Sequence, residues 1–391
     1  MTNKKIGIIS LYSYSVNYGG VLQAFAMNQL LLNAGFEPQQ IVYSNTSPNY
    51  KKKKTLKDFL SEHTVSYVLK KPFNLLLSRC PNKIRKFFNS HAEESIRLRA
   101  KVFENFRKNR ITHTQGCNQN NIAEKCSFFD GYICGSDQVW NPGIADENYL
   151  LSFVPDGKTR FSYAASIPQS SIPADKLDLF KNNLALFDGI SVREENSVEL
   201  IKSLCNKDVT WVLDPTLLMS AEEWIKYAEP YPIKGDYVFC YFLGTDKRFR
   251  RAVKKYAKAN NLKIVTFPYL LPEPNSADKH FGDIRICDAN PLQFVSLIKN
   301  AKCVFADSFH AAAFSINLHT DFYVFQRSES RSMGSRMTSL LKLANCRERL
   351  VCKYKDVKRN NKTINWKNAD INLEKQRQVS YAYLNEQLKK I

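Results

Sequence analysis

The stretch Cys303-Val304-Phe305-Ala306-Asp307-Ser308-Phe309-His310 reads as a short buried strand, a sharp break, and a helix that starts at Asp307-Ser308 and runs on through Ala311–Ile316. Asp and Ser favour helix N-caps because their side-chain oxygens accept from the unpaired amides of the first turn. His310 then stands at a helix N-terminus, at the carboxyl end of a strand. Open α/β sheets hold anionic ligands at that position, where free amides and the helix dipole both favour negative charge. The same placement disfavours imidazolium, so it predicts a neutral, base-competent ring unless a bound anion reverses the balance. A histidine that only caps or packs would show the same local sequence, so the reading turns on its surroundings.

Those surroundings alternate strand and helix. Beyond His310 lies strand Phe322–Phe325, then helices over 335–345 and 374–391, the last amphipathic and lysine-rich. Before it come strand Tyr237–Leu243, helix Lys247–Ala259, strand Leu262–Phe267, a helix capped by Asn290 with Pro291 at its first position, and strand Lys302–Ala306. The joint Pro230-Tyr231-Pro232 precedes this series. The first half repeats the scheme: strand Ile6–Ser10, a helix over Val21–Asn33 closed by Gly35, and strand Ile41–Tyr43. Strands Gly131–Cys134, Arg160–Ala165, Gly189–Val192 and Val209–Val212 follow, with helices such as Asn196–Leu204 between them. Such alternation predicts parallel, doubly wound α/β sheets. The predicted architecture is two Rossmann-like domains facing a cleft, residues 1–230 and 231–370. A basic helical insert occupies 51–110, and a C-terminal helix, 371–391, packs back on the first domain.

Bulk properties narrow the class. The 391 residues suffice for two cores, and 44% hydrophobic content with 25 Phe and 19 Tyr fits a globular chain. No apolar run reaches the roughly 18–20 residues of a membrane span. Ile6-Gly7-Ile8-Ile9 is too short for a signal-peptide core, so a cytoplasmic protein is expected. The ten cysteines form no Cys-x-x-Cys pair and the six histidines no His-x-x-x-His, which leaves metal sites and disulfide frameworks unsupported. Cys134, Cys240 and Cys303 fall inside strands, where a reduced thiol packs as a small apolar group. The net charge is +20, and residues 51–110 hold 17 Lys/Arg against 5 Asp/Glu. Mixed with Phe59, Leu60 and Leu75-Leu76-Leu77, that excess suits an anionic membrane surface or a solvated, snorkelling insert. Without a recognised module, nucleic acid is not expected as a partner.

Three further turns carry polar groups to strand ends. Gly135-Ser136-Asp137-Gln138-Val139-Trp140-Asn141-Pro142 follows a strand directly, and its hydroxyl, carboxylate and amides beside an indole suit a sugar or phosphate. Asn17-Tyr18-Gly19-Gly20 is a second strand-to-helix turn, with glycines that allow a ligand close to the backbone. Arg193 follows strand Gly189–Val192, where a guanidinium can fork onto a carboxylate or phosphate. Arg327, Arg331 and Arg336 come just after strand Phe322–Phe325 and can gather round an anion. Each has a bland counterpart in a tight turn, a helix cap or a solvated charge.

Together these segments resemble the polysaccharide pyruvyl transferase family. The resemblance covers roughly 5–45 and 125–330. It rests on Asn17–Ala24, Phe129-Asp130-Gly131 through Pro142, Ser162-Tyr163-Ala164-Ala165-Ser166, Ser191-Val192-Arg193-Glu194, Leu213-Asp214-Pro215-Thr216 and Asp307-Ser308-Phe309-His310. It implies a fold like the two-domain GT-B glycosyltransferases. It also implies transfer of pyruvate from phosphoenolpyruvate (PEP) to two hydroxyls of a sugar as a cyclic ketal, with no cofactor beyond PEP as co-substrate. The family's catalytic histidine falls on His310 and a PEP-holding arginine on Arg193. Several members resemble Arg-Leu-His where this chain has Ser308-Phe309-His310, so Arg327, Arg331 or Arg336 must compensate, or the donor differs.

The resulting assignment makes His310, Arg193 and Asp137 catalytic, with Asp137 steadying an oxocarbenium-like centre or orienting the acceptor. Arg193, Ser308, Phe309, Arg327, Arg331 and Arg336 hold the donor. Asn17, Tyr18, Gly19, Gly20, Ser136, Gln138, Trp140, Asn141 and Ser166 hold the acceptor sugar. A polyprenyl-diphosphate-linked acceptor would place the protein peripherally on the inner face of the membrane. The competing readings are a nucleotide-sugar glycosyltransferase of the same fold and a non-catalytic sugar- or lipid-binding component of polysaccharide assembly.

Overall fold

A computed structural model describes residues 4–44, 82–270, 276–327, 334–351, 354–359 and 362–391; within these, the side chains of 82–93, 276, 334–335 and 354 are excepted. Strand β1 (Lys5–Ile9) is buried from its second residue on, and helix α1 (Tyr18–Asn33) follows with the Asn17 carboxamide accepting from the Gly19 amide at its cap. Gly35, at φ +86°, turns the chain into β2 (Glu37–Gln40), and β3 (Tyr43–Ser44) comes after. The strand expected over Ile41–Tyr43 thus begins earlier. Pro38 is tolerated because β2 is an edge strand, where its missing donor is not needed. Helix α2 (Asn82–Arg110), β4 (Cys117–Asn118), α3 (Ile122–Lys125), β5 (Gly131–Cys134) and β6 (Thr159–Ser162) follow. Next come α4 (Leu177–Leu184), β7 (Ile190–Val192), α5 (Val198–Cys205), β8 (Val209–Trp211), α6 (Pro215–Leu218) and α7 (Ala221–Tyr227). The first sheet runs β2-β1-β5-β6, all parallel, and the β7-β8 pair is joined to it by bridges Phe161–Gly189 and Ala165–Val192.

The second series is β9 (Tyr237–Tyr241), α8 (Lys247–Ala259), β10 (Lys263–Phe267), β11 (Ile284–Arg285), α9 (Pro291–Lys299), β12 (Cys303–Ala306) and α10 (Phe309–Asn317). It ends with β13 (Phe322–Phe325), α11 (Gly334–Leu343), β14 (Leu350–Val351), α12 (Tyr354–Arg359) and α13 (Trp366–Leu388). The sheet order is β11-β10-β9-β12-β13-β14, all parallel, so the order reverses between β9 and β12. Ligands of open α/β sheets bind outside the strand ends at such a switch. The first sheet has its own switch between β1 and β5.

The two sheets' layers share one core. Tyr18 of α1 stacks on Phe294 of α9 with centroids 4.9 Å apart, and Trp224 of α7 meets the Phe314 ring of α10 edge-on at 4.9 Å. Helix α13 returns across the first sheet: Tyr383 Oη donates to the Ser162 carbonyl at 2.9 Å, and Ser380 Oγ accepts from the Leu213 amide at 2.9 Å. The N-termini of α1 and α10 are thereby fixed against each other. Among the described residues no helix is long and apolar enough to cross a membrane.

Candidate active site

The cleft between the two switch points has a volume of about 630 Å³. Asn17, Asp137, Gln138, Ser308, Phe309, His310, Arg327 and Arg336 line it together. Four segments far apart in sequence therefore meet in one cleft. Arg331 lies outside the described residues.

His310 is held by shape. Its ring fills the space that a side chain on residue 19 would occupy, so only glycine permits α1 and α10 to approach this closely. Gly20 is a milder case, since a Cβ there would meet the Asp137 carboxylate at an ordinary contact distance of 3.5 Å. His310 is 5% exposed, and its Nε2 is buried with no hydrogen-bond partner. The nearest anion is Asp214, with Oδ2 at 3.5 Å from Nε2.

Asp214 carries part of the family resemblance in the sequence but no assigned role, and Asp-Pro-Thr has the residue types of an ordinary helix cap. It is that: Oδ1 accepts from the Thr216 amide at 3.0 Å and hydroxyl at 2.7 Å. Its other oxygen accepts from Ser136 Oγ at 2.8 Å and Arg193 Nη1 at 3.0 Å. Burial alone would raise this carboxyl, but His310, Arg193 and the Thr216 amide outweigh it and hold it well below the usual range.

Arg193 departs from its expected role as a fork for the donor. Its side chain is 1% exposed. Nε donates to Glu194 at 3.2 Å, Nη1 to Asp214 and Nη2 to Ser166 Oγ at 3.0 Å, with Asp137 Oδ1 3.6 Å from Nη1. The Phe309 ring covers the guanidinium at 4.4 Å. Burial would weaken its proton affinity, yet Glu194, Asp214 and Asp137 reverse that and keep it charged. Arg193 is the hub that holds three carboxylates in place, not a ligand's clamp.

Arg336 is the opposite case. It is 4% exposed, its Nε lacks a partner, and it faces the cleft. Burial and then the nearby Arg193 charge push its pKa down to about 10. A desolvated guanidinium of this kind is short of negative charge. The first turn of α10 beside it has no side-chain cap, so its amides are also unspent. The expected cap by Asp307 does not form. The Asp307 carboxylate instead accepts from the Leu243 and Gly244 amides at 2.7 and 2.8 Å, tying the ends of β9 and β12 at the switch point.

Asp137 adopts φ 69° and ψ −170°, a region that side chains rarely enter and that costs on the order of 1–3 kcal/mol. Its carbonyl accepts from the Val139 and Ser166 amides at 2.7 and 3.0 Å, which fixes the strained backbone and aims the carboxylate into the cleft.

Several assigned acceptor residues do not reach the cleft with their side chains. Trp140 is fully buried, with Nε1 donating to the Tyr149 carbonyl at 3.2 Å, because the helical turn after Asp137 rotates the indole into the core. Tyr18 is buried in the aromatic seam and donates to the Ala289 carbonyl at 2.9 Å. Ser136 and Ser166 are consumed by Asp214 and by Glu194 with Arg193. Asn141 accepts from Gln169 Nε2 and the Gly143 amide. The exposed aromatic at the cleft is Tyr14, 70% accessible, from the loop after β1. The insert also contributes: Ile96, Arg99 and Ala100 of α2 form a wall of the cleft. Arg99 is 6% exposed and donates to the Pro268 and Ile286 carbonyls at 2.8 and 3.0 Å.

The model of one family, polysaccharide pyruvyl transferase, matches residues 17–329. No curated protein matches the chain. Among solved structures, one from Listeria monocytogenes described as a UDP-N-acetylglucosamine 2-epimerase superposes with a TM-score of 0.52 at 10% identity, over 97% of this chain and 91% of that one. The UDP-GlcNAc 2-epimerase of Methanocaldococcus jannaschii gives 0.48 at 12% identity over 93% and 95%. That of Neisseria meningitidis bound to UDP-GlcNAc gives 0.47 at 10% over 98% and 100%. At 10% identity the likeness to the first of these shows the GT-B-like, two-lobed α/β fold and nothing of the chemistry.

Proposed function

We propose that this chain, which belongs to the polysaccharide pyruvyl transferase family and is a transferase of polysaccharide biosynthesis, uses PEP as donor and closes a cyclic ketal on two hydroxyls of a sugar. The observation that carries the donor assignment is Arg336: a buried guanidinium facing the cleft with an unpartnered Nε, beside the uncapped first turn of α10. A PEP phosphate or carboxylate would satisfy both at once. Arg336 and Arg327 then take the part that Ser308 cannot. Arg193 serves through the carboxylates that it positions.

The chemistry distributes as follows. His310 removes a proton from the first acceptor hydroxyl as its oxygen bonds to C2 of PEP, and the methylene carbon takes up a proton to become methyl. The C2–O bond to phosphate breaks, and the second hydroxyl closes the ring on the resulting oxocarbenium-like centre. Of the two hydroxyl protons, one ends on the methyl group and the other leaves with phosphate. Asp137 faces the cleft to stabilise the positive centre. Tyr14 provides the sugar platform that Trp140 cannot.

We further assign the attraction for an anionic membrane surface to the Lys51–Lys54 run, which lies outside the described residues. Residues 51–81 hold eight Lys/Arg against two Asp/Glu, and each basic residue near such a surface contributes roughly 1 kcal/mol. The second half of the insert has another use, as a wall of the cleft. The deciding experiment is phosphate release from PEP with galactose-, glucose- and mannose-type acceptors. Acceptor-dependent release supports the assignment. Binding of UDP or GDP in competition with the donor, without phosphate release from PEP, overturns it.

A further inference from the structure

Asp214 and His310 stand apart from the rest of the cleft in one respect. The histidine's Nε2 is shut off from solvent and lacks a hydrogen-bond partner, while a carboxylate oxygen lies 3.5 Å away. Among the described residues nothing else is offered to that nitrogen. A ring that lines the cleft but hides Nε2 can meet a substrate only through Nδ1, on the edge packed beside Gly19. The carboxylate itself cannot drift. Thr216 holds one oxygen with its amide and hydroxyl, and Ser136 and Arg193 hold the other.

We propose that Asp214 is the positioning residue of His310: its carboxylate takes the Nε2 proton in a hydrogen bond, which leaves Nδ1 unprotonated and directed at the acceptor hydroxyl. The proposal rests on the reading of His310 as the proton-transfer group. A 3.5 Å separation is long for such a bond, and catalytic hydrogen bonds often tighten when the substrate is in place. When Nδ1 takes the hydroxyl proton, the ring becomes imidazolium with both nitrogens protonated, and Asp214 faces the new charge directly. The role matches that of a buried carboxylate that fixes a histidine's tautomer and steadies its charged form. Among the described residues the charged groups nearest the ring are Asp214 and, beyond it, Arg193 with Asp137 and Glu194, and across the cleft Arg336, Arg327 and Arg99. Of these, only Asp214 comes within 4 Å of a His310 nitrogen among the described ion pairs.

Two measurements test this. In the wild-type protein, nitrogen-15 spectra of the histidine rings, with the His310 signals identified by their loss in His310→Gln, should show the neutral ring protonated at Nε2. A neutral ring protonated at Nδ1 overturns the proposal, whatever any variant does. In Asp214→Asn, turnover should fall roughly 10²- to 10⁴-fold while the KM for PEP stays close to the wild-type value, because the loss lies in the orientation of the proton-transfer group and not in donor binding. Thermal melting and circular dichroism confirm that the variant is folded. If His310→Gln is inactive while Asp214→Asn keeps the wild-type rate, the positioning role falls and the reading of His310 survives. If His310→Gln retains turnover, the reading of His310 falls with it.

Discussion

The imidazole of His310 lies where a side chain on Gly19 would have to go, so the first turn of α1 and the first turn of α10 meet through a glycine and a histidine. The Gly19→Ala variant should therefore displace the ring, and a displacement of about 1 Å at a reacting group costs on the order of 10² in rate. Gly116 supplies the control, since nothing lies within 4 Å of a Cβ added there. Turnover should fall in Gly19→Ala and stay unchanged in Gly116→Ala. Equal activity in both would show that the close approach does not govern the histidine.

Much of this arrangement can be read from the chain because it depends on local rules. Asn290-Pro291 caps and starts α9 as its residue types demand, and helix Lys247–Ala259 begins and ends where its pattern indicates. His310 at a strand end is legible for the same reason. What is not legible depends on partners distant in sequence. Arg193 looks like a ligand-binding arginine until Asp137, Glu194 and Asp214 close round it from three segments. Asp214 looks like a cap because its second oxygen's work is done by residues 78 and 21 positions away. Trp140 looks like a platform because a helical turn after Asp137, whose backbone is strained, is invisible to a sequence pattern. The burial of Arg99 escapes notice because charge counting treats a basic insert as solvated surface.

Arg336 should show a trade between stability and binding. Burial lowers its pKa to about 10, so at neutral pH the folded and unfolded chains both carry the proton and the cost of burying the charge, on the order of a few kcal/mol, is present in full. As pH rises through 10, the folded state releases the proton before the unfolded chain does and that cost declines. At neutral pH, Arg336→Met should therefore melt at the same or a higher temperature than the wild type without ligand. PEP should raise the melting temperature of the wild type far more than that of the variant. Its dissociation constant should increase roughly 10- to 100-fold, the value of a hydrogen bond to a charged group. Titration calorimetry showing unchanged PEP affinity in Arg336→Met would remove Arg336 from the donor site.

Asp214 predicts the shape of the acid limb of stability. Its carboxyl is held well below the ordinary value of 3.8, so its charge stabilises the fold above about pH 4 and that contribution is lost as pH falls below it. The gap in unfolding free energy between the wild type and Asp214→Asn should accordingly be widest at pH 7 and narrow steadily between pH 4 and 2. Urea unfolding at a series of pH values measures it. A gap independent of pH would mean that packing, not charge, is what the carboxylate supplies.

The basic insert should separate into two functions when it is mutated in two places. Arg99 of α2 lies buried over the Tyr18 and Phe267 rings and donates to two carbonyls of the second lobe, while Phe103 of the same helix is completely buried. Removing the guanidinium strands the Pro268 and Ile286 carbonyls at about 1–3 kcal/mol for each buried group left unpaired, and loosens one wall of the cleft. Arg99→Met should thus lower thermal stability and raise the KM for acceptor, with vesicle binding unchanged. Neutral substitutions at Lys51, Lys52, Lys53 and Lys54 should do the reverse: sedimentation with anionic vesicles at low salt weakens, while turnover on a soluble acceptor is retained. Salt should abolish the vesicle binding, because charges beyond a Debye length of about 8–10 Å are screened. Loss of vesicle binding in Arg99→Met, or equal partition of the wild type to anionic and zwitterionic vesicles, would contradict the division. The first outcome would mean that α2 itself carries the membrane contact, and the second that charge does not drive the attachment.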